Sequence, residues 1–202
     1  LLTALDDPLP AGVVSRTAQE LCEGEIEEIT WRGIVDVSVA DALGVIEAKT
    51  ASLYGVAAEI GGACAGADAP QRAHLREAGL AIGRAFQITD DCLDVVCDEA
   101  QTGKPTGQDL GEGLLTLPWV FVREHLDASD RAAFDATFLD ADDAGRNESM
   151  RAAWDPAPGV ERSIEMAGRE LARAEEIWAG LPTGAGRDGL MALGAFIRFR
   201  TR

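Results

Sequence analysis

Lysine is almost missing from this chain: of 18 basic residues only Lys49 and Lys104 are lysines, and the rest are arginines. Positive charge is scarce altogether, with 35 acidic residues and a formal net charge of -17. A polyanion finds no attractive surface on such a molecule, which excludes nucleic-acid binding and electrostatic adhesion to anionic lipid. The acidity fits either a salt-adapted, carboxylate-rich surface or an arginine-biased composition. No apolar run approaches the roughly 18 residues of a membrane span, and no basic start followed by an apolar stretch follows Leu1, so no stable membrane insertion is expected. The four cysteines, at positions 22, 64, 92 and 97, include no Cys-x-x-Cys pair. A chain of this size can bury a core without disulfides, and a reducing, cytoplasmic setting is expected.

Proline is sparse too, and the gaps between prolines leave room for long helices. Over 39–60 the apolar residues Val39, Leu43, Ile46, Leu53, Val56 and Ile60 recur three, four or seven apart, a helical stripe that also carries Lys49. A second long helix is expected over 71–96, stopped by the Gly- and Pro-containing stretch 102–107. Shorter helices are expected over 15–29, 117–125, 129–139, 160–179 and 187–199. Residues 1–10 read as the end of a helix and a loop, since Pro8 breaks a helix there, and 140–147 and 155–159 read as surface loops. The fold class is all-α, and residues 1–202 form a single helical domain with no internal repeat.

The segment Gly83-Arg84-Ala85-Phe86-Gln87-Ile88-Thr89-Asp90-Asp91-Cys92-Leu93-Asp94 carries the chemistry. At about 100° per residue, Gln87, Asp90, Asp91, Asp94 and Asp98 fall within a sector about 100° wide. Like charges at this spacing repel, and aspartate is a poor helix former, so stability alone would not choose the arrangement. Oxygen-only ligands suit a hard cation such as Mg2+ shared with substrate phosphates. A solvated acidic face is the plain alternative. Against it stand Ile82, Phe86 and Leu93, apolar positions bordering the acidic sector.

Phe86-Gln87-x-x-Asp90-Asp91-x-x-Asp94, followed by Gly103-Lys104-Pro105-x-Gly107-x-Asp109-Leu110, resembles the second aspartate-rich region of the trans-type isoprenyl (polyprenyl) diphosphate synthases. Upstream, Glu47-Ala48-Lys49-Thr50-Ala51-Ser52-Leu53-Tyr54 is similar to that family's Lys-Thr helix, and Gly24-Glu25-Ile26-Glu27-Glu28-Ile29 to its Gly-Gln-x-x-Asp helix. Thr116-Leu117-Pro118 fits as well. Both lysines of the chain thus fall where the family uses lysine against diphosphate oxygens. The resemblance implies an isoprenoid-synthase-type helical bundle and a magnesium-dependent trans-prenyltransferase. Such an enzyme condenses an allylic diphosphate with isopentenyl diphosphate to a linear polyprenyl diphosphate, of farnesyl or geranylgeranyl type by expectation. It further implies Asp90, Asp91 and Asp94 as metal ligands, Lys49, Thr50, Gln87 and Lys104 as diphosphate-contacting catalytic residues, Arg198 in a basic tail over the second substrate, and a homodimer.

Two features depart from the family pattern. The first aspartate-rich motif and its following Arg-Arg-Gly segment have no match, so the chain is expected to be the later part of a synthase whose first helices lie outside it. Leu114 stands where relatives usually place a lysine. Two other functions are carried alongside: a noncatalytic or regulatory subunit of a prenyl synthase, and an acidic helical domain that binds divalent cations without any diphosphate.

Overall fold

A computed structural model of the chain describes residues 8–96, 106–143 and 145–200, and every regular element among them is helical. In order these are α1 (Pro8–Thr30), α2 (Val39–Ile46), a π-helical segment (Glu47–Ala51), α3 (Ser52–Cys64), α4 (Ala69–Val96), α5 (Gln108–Gly111), α6 (Leu117–His125), α7 (Ala128–Asp140), α8 (Arg146–Ala153), α9 (Ala157–Ala179) and α10 (Ala185–Phe199). None of the described helices is long and apolar enough to cross a membrane.

Helix α4 is the axle of the bundle. Between Ala78 and Ala85 its residues are small or aliphatic apart from Arg84, and all of those are buried. A helix apolar on every side belongs between other helices, and here α3 and α9 both pack along it. A Cβ on Gly79 would sit 2.4 Å from the Tyr54 carbonyl oxygen, and one on Gly83 would sit 2.6 Å from the Ala51 Cα. Glycine at these two positions lets α4 touch the backbone of the stretch that carries Lys49 and Thr50. Arg84 then ties three elements together, donating to Glu47 of the π segment and to Glu170 of α9 at 2.8 Å each. The far end of the core is aromatic: Trp119, Phe134 and Phe138 are buried, and Trp119 and Trp154 both contact the Phe134 ring.

Three expectations are corrected. Residues 8–10, expected in the end of a helix and a loop, lie in the helix α1. The expected 39–60 helix is divided by the π segment. Its wider turn rotates the downstream face, so Leu53, placed on the apolar stripe by its spacing, is 54% exposed while Ala51 and Val56 are buried. The polar stretch after residue 145 forms α8, anchored by the buried Arg146 and Met150, and α9 starts at Ala157 with Pro156 as its cap residue.

Candidate active site

Lys49 and Thr50 sit on the π-helical turn, a distortion that frequently marks functional positions. Helix α1 lies directly on that turn, since a Cβ on Gly24 would meet the Ala48 Cβ at 2.8 Å and the Lys49 backbone nitrogen at 2.9 Å. The approach brings two carboxylates of α1 to the ammonium: Lys49 Nζ is 2.5 Å from Glu28 Oε2 and 3.4 Å from Glu25 Oε2. Burial works against the lysine's charge, but the bond to Glu28 and the charges of Glu28 and Glu25 outweigh it and hold the Lys49 pKa above its ordinary value. Across the cleft, Thr50 Oγ1 donates to Gln87 Oε1 at 2.8 Å, and Gln87 Nε2 donates to Asp91 Oδ1 at 2.8 Å. The relay fixes the orientation of the Gln87 amide, with its oxygen toward the hydroxyl and its NH2 toward the carboxylate.

The three aspartates of α4 occupy three different environments. Asp91 is only 6% exposed, and burial first, then the negative charge of Asp109, pushes its pKa well above the usual carboxylate range. Asp94 accepts from the backbone N–H groups of Gln108 and Asp109 at 3.2 and 3.3 Å, which joins α4 to the first turn of α5. Burial outweighs those bonds and leaves its pKa raised as well. Asp90 is exposed and paired with the Arg200 guanidinium at 2.8 Å, and Arg200 also lies over the Phe86 ring. Asp109, delivered by α5, is pushed up to about 7 by burial, then by the charges of Asp94 and Glu28.

These groups open onto a cavity with about 600 Å³ of empty space, part of it continuous with solvent. Its polar lining is Glu28, Lys49, Gln87, Asp91, Asp109 and Thr116, and its apolar lining includes Trp31, Val45, Ile46, Leu114, Leu115 and Leu117. Three carboxylates thus face one ammonium among the described lining residues. No group of three His, Cys, Asp or Glu residues among the described ones is placed to hold a metal ion by itself. The donor set instead fits a hard cation that keeps part of its shell as water and phosphate oxygens. Burial and neighbouring carboxylates disfavour the charged forms of Asp91 and Asp109, and such a cation would favour them.

The structure brings together Lys49, Thr50, Gln87 and Asp91, with Asp94 tied to the adjoining turn. Lys104 and Asp98 lie outside the described residues. Arg198 donates to both carboxylate oxygens of Glu175 on α9, at 2.8 and 2.9 Å, and Arg200 of the same tail reaches Asp90. Sequence reasoning passed over Glu28 and Asp109 as site residues, although both stand inside the quoted motifs.

A sequence model of the Polyprenyl synthetase family matches residues 1–154. The chain is 34% identical over 196 residues to the heptaprenyl diphosphate synthase component 2 of Geobacillus stearothermophilus, covering 97% of this chain and 60% of that protein. In three dimensions it superimposes on a decaprenyl diphosphate synthase from Rhodobacter capsulatus with a TM-score of 0.85 and 29% identity, covering 97% of this chain and 61% of the other. It also matches a polyprenyl synthase from Caulobacter crescentus, solved with calcium and isoprenyl diphosphate, with a TM-score of 0.81 and 27% identity over 98% of this chain and 60% of that one. The chain therefore spans about 60% of the length of these relatives. The family model covers more than half of the chain, and the chain belongs to the polyprenyl synthetase family.

Proposed function

We propose that this chain acts in a trans-prenyltransferase that joins an allylic diphosphate to isopentenyl diphosphate and releases pyrophosphate, building a linear polyprenyl diphosphate. The observation that supports it is the one cavity in which Lys49, Gln87, Asp91 and Asp109 meet an apolar wall, a match to a substrate with a diphosphate head and a hydrocarbon tail. In the reaction the C1–O bond of the allylic diphosphate breaks, and pyrophosphate leaves with the electron pair. The double bond of isopentenyl diphosphate then attacks the C1 cation, and loss of a proton from the adduct restores an alkene.

Lys49 presents a fixed positive charge where the leaving group gains negative charge, and exchanges its Glu28 partner for a phosphate oxygen as it does so. Thr50 and Gln87 orient the diphosphate through the relay that ends on Asp91. The apolar lining keeps water from the carbocation. Lys104 supplies a second ammonium by resemblance. Magnesium held by Asp90, Asp91 and Asp94 would add positive charge to the departing pyrophosphate. Arg200 balances Asp90 until a diphosphate competes for it, and Arg198 is kept in the basic tail over the second substrate by resemblance.

The proposed assembly is a cytoplasmic homodimer. The name of the Geobacillus relative, component 2, favours a second reading in which the chain works beside a different subunit; mass-resolved size exclusion separates the two. The deciding assay incubates the complete protein with farnesyl diphosphate, labelled isopentenyl diphosphate and magnesium, and resolves products by length. Asp90→Ala is expected to lower turnover by about 100-fold or more, and an unaltered rate refutes the assignment. Calorimetry separates the cation-binding alternative: that reading requires tight magnesium binding with no need for pyrophosphate.

A further inference from the structure

Arg146 is the only cationic residue among the described ones with less than a tenth of its surface exposed, at 8%. It opens α8, outside the cavity, and spends its whole guanidinium on other segments. Its Nε donates to the Phe138 carbonyl at 2.9 Å and its Nη2 to the Ala141 carbonyl at 3.0 Å, both at the end of α7. Its Nη1 reaches the carbonyls of Leu110 and Gly111 at 3.3 and 3.2 Å, besides Asp143 at 2.9 Å. The group also lies over the Phe138 ring, 5.2 Å from the centroid.

Leu110 and Gly111 are the last two residues of α5, the four-residue turn that delivers Asp109 to the cavity. A single helical turn does not hold itself in water; the Gly113 N–H donates to the Leu110 carbonyl at 2.9 Å, and the turn's end takes further support from another segment. This turn is strung between two anchors. At its front, the N–H groups of Gln108 and Asp109 hold the Asp94 carboxylate and that of Gly107 donates to the Asp94 carbonyl. At its back, Arg146 holds the carbonyls. We infer that Arg146 is a positioning residue for the diphosphate site. It fixes the 107–111 turn against the α7–α8 hairpin, and through the turn sets both the reach of Asp109 and the orientation of Asp94. A planar fork is needed because it bridges carbonyls of two segments at once, which the point charge of a lysine does not do.

The inference rests on the prenyl-transfer reading, and its test separates the two. Arg146→Lys and Arg146→Ala are made in the complete protein. Three quantities are measured: amide hydrogen exchange at Gln108 and Asp109, calorimetric affinity for inorganic pyrophosphate with magnesium, and the melting temperature. Both variants are expected to exchange faster at those two amides and to bind magnesium pyrophosphate about 10- to 100-fold more weakly. Free guanidinium ion is expected to restore affinity to the Ala variant. Unchanged exchange at Gln108 and Asp109 overturns the inference, and so does a lowered melting temperature with unchanged pyrophosphate affinity, the mark of a purely structural pin. If the wild type itself takes up no pyrophosphate, the prenyl-transfer reading fails, and the exchange result alone still decides whether Arg146 sets the turn. Should the Ala variant not fold, the Lys variant, which keeps charge and most of the volume, carries the measurement.

Discussion

Replacing Asp109 by asparagine swaps a carboxylate of the cavity for a neutral amide of nearly the same shape, and should make the protein more stable above neutral pH. In the folded chain the Asp109 proton is retained up to about pH 7, against an ordinary value of 3.8, because burial, Asp94 and Glu28 all disfavour its charge. Between those two pH values the folded state keeps a proton that the unfolded chain has shed. Stability therefore falls as pH rises, by about 1.4 kcal/mol per pH unit and about 4 kcal/mol in total, with the loss complete above the folded value. The amide of the Asp109→Asn variant has no such proton to lose. Urea unfolding followed by circular dichroism at pH 4, 6 and 8 should give similar free energies for Asp109→Asn and wild type at pH 4. The variant should be more stable by up to about 4 kcal/mol at pH 8. Its affinity for magnesium pyrophosphate should fall at the same time, since the charge that strains the fold is the charge that attracts the cation. Parallel pH–stability curves for the two proteins would refute the reasoning, because they would mean that Asp109 ionises without opposition in the fold.

Two further substitutions test the surroundings of that carboxylate. Leu114 is buried and lines the same cavity as Glu28, Asp91 and Asp109, so Leu114→Lys should favour their ionised forms, flatten the pH dependence of stability between about pH 4 and 7, and tighten pyrophosphate binding about tenfold by calorimetry. Gly24→Ala should cost about 1–3 kcal/mol in urea unfolding, because its Cβ would meet the Ala48 side chain and the Lys49 backbone and must push α1 away.

The elements that could be read from sequence are those whose own residues settle the matter. Helix α6 runs over the expected residues, because Thr116 and Pro118 mark its start and its apolar residues are continuous, and α4 is helical through the expected stretch as far as Val96. Helix α8 was hidden because its sequence, Arg146-Asn147-Glu148-Ser149-Met150-Arg151-Ala152-Ala153, is polar and has no apolar stripe. What makes it helical is tertiary: carbonyls of α5 and α7 that only the folded chain brings to Arg146, and a pocket for Met150. The misplacement of Leu53 has a related cause. Spacing arguments assume an uninterrupted 3.6-residue turn, and the π segment breaks that count at Lys49 and Thr50 themselves.

The site shows the same division more sharply. A helical projection places Asp90, Asp91 and Asp94 on one side of α4, but it cannot say what stands opposite each. Their different fates come from elements far along the chain: Asp109 and the α5 amides against Asp91 and Asp94, and Arg200 against Asp90. Those partners also distinguish this cluster from mere surface acidity in a chain of net charge -17. Carboxylates on a wetted surface are screened by water and ionise at little cost. Asp91, Asp94 and Asp109 do not, because burial and mutual repulsion raise all three while Lys49, the one ammonium among the described cavity residues, is already shared by Glu28 and Glu25. An arrangement that opposes its own ionisation is difficult to account for as packing, and the proposed function, in which a cation bridges these carboxylates to a diphosphate, accounts for it.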